Sequence, residues 1–155
     1  MSFENQVRSS QGYYELGMLA EAWEELEAID AEHRDDPLVI QMRLLLLLKE
    51  ARWEEALAGS EQLIETDGKC AMGYIHAAYC LHEMGQTSKA RELLLSGPSS
   101  LLREAVYFYN LACYEIALGK KEEAESCLQQ SFEMDGGLRE VARKDEDLEC
   151  LWNIL

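Results

Sequence analysis

Proline is scarce, with 2 in 155 residues, and β-branched residues are few, which argues against an all-β fold from the start. Positive charge is also short: 14 basic residues stand against 30 acidic ones, a formal net charge of −16. Nucleic-acid affinity depends largely on cations neutralising phosphates, so this balance argues against a nucleic-acid binder. The longest apolar run, Leu44 to Leu48, is bracketed by Arg43 and Lys49 and falls far short of the ~20 residues that span a bilayer. Met1 to Ser10 has no basic start leading into an apolar stretch, so no signal peptide is read there. The five cysteines (Cys70, Cys80, Cys113, Cys127, Cys150) are odd in number and include no CxxC spacing. Neither a disulfide framework nor a zinc site is expected, and the setting reads as cytoplasmic. What is abundant is Leu, Ala and Glu, all strong helix formers, with hydrophobic residues at 48% of the chain.

A period of 34 residues organises the chain. Ala22, Ala56, Ala90 and Ala124 recur at that spacing without insertion, each directly after a charged residue: Glu21, Glu55, Lys89 and Glu123. Five residues before each alanine stands Gly17, Ala51, Gly85 or Gly119; four residues after stands Leu26, Ser60, Leu94 or Leu128. The pattern predicts antiparallel helix pairs, with the small residue ending the first helix and the alanine where two helices cross. Expected pairs are 3–16 with 19–32, 37–49 with 53–66, 70–84 with 87–96, and 102–118 with 121–134. Pro37 suits the first turn of its helix. Asp67-Gly68 and Asp135-Gly136 end second helices, and Gly97-Pro98 cuts one short. After Gly137 the period stops. Leu148, Leu151, Trp152 and Leu155 then form one apolar face, expected to cover the end of the last pair.

These features resemble the tetratricopeptide repeat (TPR) family. Tyr109-Asn110-Leu111-Ala112 followed by Leu118-Gly119-Lys120-Lys121-Glu122-Glu123-Ala124 is similar to the family's pattern, as is Arg52-Trp53-Glu54-Glu55-Ala56-Leu57, with Trp53 at its aromatic position. The match runs from about residue 3 to 138. The first repeat departs most, with Gln6, Ser9 and Ser10 in place of apolar residues. The resemblance implies an all-α, right-handed α–α superhelix. Its single domain over 1–155 would hold repeats at 3–36, 37–70, 71–104 and 105–138 and capping helices at 139–155.

In TPR proteins the first helix of each pair lines the concave surface. Carried over by register, the resemblance implies a ligand-binding groove with Met42, Leu45, Tyr79 and Tyr109 as apolar and aromatic anchors. His76 lies among them, and Asn110 stands where related repeats use an amide to hold a ligand backbone. The clamp by which some TPR domains grip acidic chaperone tails is missing, because Val7, Gln11, Met42, Met72 and His76 supply no pair of cations. Charge is uneven: residues 3–36 carry 10 acids and 2 bases, whereas 71–104 carry 3 of each. The acidic first repeat is either a solvated helix face or a means of steering a basic partner.

No phosphate loop, HExxH or nucleophile elbow is present, so no catalytic residue, cofactor or metal is expected. His76 and Cys80 share a helix face, but no third ligand is evident. The function read from the chain is a non-catalytic protein-interaction adaptor that binds a peptide or protein surface. Similarity to small free-standing bacterial TPR proteins, among them the bacterial kinesin light chain, implies a tubulin-like filament as one such partner. Nothing in the sequence indicates membrane association. The alternatives are a secretion-type chaperone shielding an export substrate, or a self-assembling scaffold. The crossing assignment has a direct check: Ala56→Leu should cost ~1–3 kcal/mol by overpacking, read as a lowered melting temperature.

Overall fold

A computed structural model describes Met1–Leu155 and contains helices and no strand. The helices are α1 (Phe3–Glu15), α2 (Leu19–Glu27), α3 (Pro37–Lys49), α4 (Trp53–Thr66), α5 (Ala71–Glu83), α6 (Thr87–Leu95), α7 (Ala105–Ala117), α8 (Lys121–Met134) and the short α9 (Leu138–Ala142). Three 3₁₀ segments complete the chain: Ala31–His33, Ser99–Arg103 and Glu146–Ile154. The chain divides into two compact units, Met1–Gly68 and Lys69–Leu155. The first holds the pairs α1/α2 and α3/α4; the second holds α5/α6, α7/α8 and everything after them.

The same turn closes the first helix of every pair. Gly17, Gly85 and Gly119 take φ of 76°, 81° and 78°, and Ala51 takes 58° at the matching place. The residue after each donates its N–H back into the last turn of the helix: Met18 to the Tyr13 carbonyl (2.9 Å), Arg52 to Leu47 (2.9 Å), Gln86 to Leu81 (2.8 Å) and Lys120 to Glu115 (2.8 Å). This is a Schellman closure, which requires a left-handed residue. Ala51 meets that requirement with a Cβ and bears its steric strain.

The periodic alanines lie where expected. Ala22, Ala56, Ala90 and Ala124 are each 0% exposed, as the crossing position demands of a residue. Two serines work around them. Ser10 is fully buried and donates to the Ala22 carbonyl (2.8 Å); Ser60, at the position leucine holds in the other pairs, donates to the Ala56 carbonyl (2.9 Å). Two helix starts carry a side-chain cap: Asp36 accepts from the Leu38 N–H (2.9 Å) with Pro37 at the first helical position, and Ser2 accepts from the Asn5 N–H (3.2 Å).

α2 ends at Glu27, earlier than the periodicity predicts. Its last turn has no base, and Glu24, Glu25 and Glu27 crowd the negative end of the helix dipole. The chain then passes through an extended Asp30 into the 3₁₀ turn. α6 ends at Leu95, ahead of Gly97, where a Cβ would collide with the Leu101 side chain and lie 3.3 Å from the Tyr74 ring. The core of the first unit is built from Ala22, Leu26, Ile29, Val39, Met42 and Leu46. In the second unit Ile75, Leu94, Leu101, Leu111, Tyr114 and Leu128 pack with Leu148 and Leu151.

Ala51→Gly removes strain at the turn that lacks glycine. It should raise the unfolding free energy by about 0.5–1 kcal/mol, offset in part by extra freedom in the unfolded chain. Chemical denaturation checks this, and a loss of stability would contradict it.

Candidate binding surface

In the first unit, the expected groove residues on α3 belong largely to packing. Met42 is 3% exposed and sits in the unit's core, with Leu45 half-buried against it. α3 is apolar on nearly every face, so register alone does not separate core from surface there.

In the second unit, α5 and α7 carry the remaining expected residues. Tyr79 is exposed, at 36%. His76 and Asn110 are half-buried. Tyr109 is 6% exposed, and its hydroxyl donates to Asp145 Oδ2 at 2.6 Å. Asp145 lies in the chain's own C-terminal stretch, just beyond α9. α9 spans only five residues, so the polypeptide turns back and lays its last 3₁₀ segment along α7. Asp145 accepts from the Asp147 N–H (3.0 Å), which starts that segment, and Asp147 Oδ2 reaches His82 Nε2 on α5 (3.4 Å). Leu148 and Leu151 are fully buried in this unit's core, each burial contributing ~1.5–3 kcal/mol. Trp152 stays 37% exposed, while its indole N–H donates to the Ala142 (2.9 Å) and Asp145 (3.1 Å) carbonyls. The C-terminal segment therefore covers the first-helix face at Tyr109 and Cys113, rather than only the end of the last pair. Periodicity carried no sign of this; the sequence signal was the capping residue Asp145 followed by Leu148 and Leu151.

The ionisable groups here are tuned by burial. Desolvation holds the His76 imidazole below its usual range. Burial pushes Cys80 up to about 11 and raises Cys113 further, with Asp145 adding repulsion, so both thiols are poor nucleophiles. Tyr109 is raised by burial and by its bond to Asp145. Tyr79 is raised by burial and by its neighbour Glu83. Below them, the buried Glu115 carboxylate pairs with Arg91, and the Tyr114 hydroxyl is buried without a partner while its ring lies 4.9 Å from that of His82. Tyr79 thus lies beside the carboxylates Glu83, Asp145 and Asp147, while the Asn110 amide is half-buried on α7.

Comparison with solved structures decides the architecture. A thermophilic TPR protein from Thermus thermophilus superposes with a TM-score of 0.76 at 19% identity, over 87% of this chain and 75% of that one. The chain has the TPR fold. MamA from Desulfovibrio magneticus RS-1 (residues 41 to the end) superposes at 0.72 with 15% identity, over 88% of this chain and 77% of that one. A further MamA crystal structure covers 97% of this chain and 81% of its own, at 0.73 and 9% identity. No protein-family model matches the chain, and no curated protein matches it in sequence. No helix of this TPR fold is long and apolar enough to cross a membrane.

The His76 environment sets a pH dependence. Its folded-state value lies below the ordinary 6.5, so the unfolded chain binds the proton more tightly. The stabilisation is complete above about pH 6.5 and is lost as pH falls towards the depressed folded value. Urea unfolding at about pH 7 and about pH 5 should show a smaller drop for His76→Gln than for wild type; equal drops would contradict this.

Proposed function

We propose that the protein is a non-catalytic interaction adaptor, read as one TPR domain of four repeats, that binds a polypeptide partner on the first-helix surface. The carrying observation is the exposed Tyr79 ring on α5, with the half-buried Asn110 amide on the next first helix, α7. An aromatic ring supplies a large apolar contact, and an amide offers both donor and acceptor to a peptide backbone. The adjoining Tyr109 and His82 already hold a stretch of polypeptide, the chain's own segment from Asp145 onward, which supports a surface suited to peptide.

Glu83, Asp145 and Asp147 border this patch, within a chain of net charge −16. A partner with basic side chains beside apolar ones fits such a rim, and association with it should weaken as salt rises. Five free cysteines support a reducing, cytoplasmic setting. A tubulin-like filament is one partner of this class, proposed on the family resemblance alone.

The test is affinity capture with the purified chain against Tyr79→Ala/Asn110→Ala. Both residues carry accessible surface, so the double variant should keep its helix content by circular dichroism while partner recovery falls about tenfold, a loss of ~1.4 kcal/mol. Equal recovery by the folded variant would refute the surface.

A further inference from the structure

The first unit carries a cleft on the other side of α3 from Met42 and Leu45. At about 100° per residue, Ile40, Arg43, Leu44 and Leu47 cluster on one side of that helix, well away from 42 and 45. Together with Trp23 of α2 and Arg52, Glu55, Ala58 and Gly59 they line an open hollow of about 330 Å³, within the range of small-ligand sites, whose apolar floor of Ile40, Leu44 and Leu47 is itself nearly fully buried. A hollow of about 200 Å³ adjoins it across Trp23 and Arg43 and is edged by Arg34 and Glu27.

Positive charge gathers here against the trend of the unit, with Glu55 and Glu27 as the acids of the same two hollows. Residues 1–68 hold 16 acids and only five lysines and arginines, yet three of those five (Arg34, Arg43 and Arg52) line the two hollows. Two are engaged within the fold. Arg52 grips Glu55 (2.7 and 3.0 Å) and lies 5.3 Å over the Trp23 ring, whose indole N–H donates to Glu50. Arg34 donates to the Ile29 carbonyl (3.1 Å). Arg43 is half-buried and makes no ion pair or side-chain hydrogen bond. A half-buried guanidinium with no acceptor in the protein is open to pairing with an anion.

Gly59 supplies the second observation. It lies in the interior of α4, where glycine is a poorer helix former than alanine. Its φ is not left-handed, and a Cβ there would meet only Leu44 Cδ1 at an ordinary 3.9 Å. Neither turn nor packing requires glycine at this place, and its effect is to keep the cleft floor open.

We propose that this cleft is a second binding site, specific for a carboxylate on a compact apolar body, such as a medium-chain acyl or aryl carboxylic acid. The carboxylate pairs with Arg43, and the body lies over Gly59 between Leu44, Leu47, Ala58 and the Trp23 edge. The site stands independently of the polypeptide-binding surface.

Titration of the ¹⁵N-labelled full chain with sodium octanoate, followed by amide and indole shifts, tests it. Saturable shifts should centre on Trp23, Arg43 and Gly59, with a dissociation constant of about 1 mM or below. Arg43→Gln should weaken binding at least about tenfold, and uncharged octanol should bind wild type correspondingly worse. Gly59→Leu, which improves helix propensity, should abolish the shifts while the rest of the spectrum stays native. Shifts that do not saturate by about 10 mM, that centre elsewhere, or that survive Arg43→Gln unchanged would overturn the proposal.

Discussion

Close approach of two helices over a single methyl group is the constraint on which the rest of this molecule depends. Each of the four periodic alanines has no accessible surface. A larger side chain there would separate the pair and expose the core residues on either side. That approach in turn needs the chain to reverse within a few residues, which the left-handed residue at 17, 51, 85 and 119 provides. Once turn and crossing are set, the remaining apolar positions have one side to face, and the leucines at 26, 94 and 128 complete it.

The same geometry decides where function is available. The second helices α2, α4 and α8 are rich in acids and well solvated, whereas the first helices α3, α5 and α7 are nearly apolar throughout. In the second unit the C-terminal stretch occupies part of the first-helix face, held by Tyr109 to Asp145 and His82 to Asp147 and anchored by Leu148 and Leu151. Outside that contact Tyr79 stays exposed beside Glu83, and Asn110 is half-buried. In the first unit, Met42 and Leu45 serve the core, and the accessible cavity opens on the opposite side of α3.

Helix pairing was readable from residue spacing because glycine, alanine and the following leucine obey strict steric demands at each turn. Pro37, Asp67 and Asp135 marked helix ends for equally local reasons. The surface was less legible. Register assigns Tyr109 to a helix face, but burial depends on Asp145 returning from 36 residues away, which no period encodes. Met42 lies on a helix whose apolar residues surround its axis, so periodicity could not distinguish packing from presentation. Ser10, read as a departure from the apolar pattern, is fully buried because its hydroxyl finds the Ala22 carbonyl. The cleft beside Arg43 has no mark in the sequence, because its lining comes from three helices and includes a glycine with no turn signature.

The central claim is that the first-helix surface around Tyr79 meets a partner protein and the solvated second helices do not. Site-specific photo-crosslinking measures this directly, with a benzoylphenylalanine placed at Tyr79 or at the exposed Glu122 of α8 in the native cell. The account predicts a discrete crosslinked protein from Tyr79 that is absent from Glu122; the same products from both positions, or none from Tyr79, would contradict it.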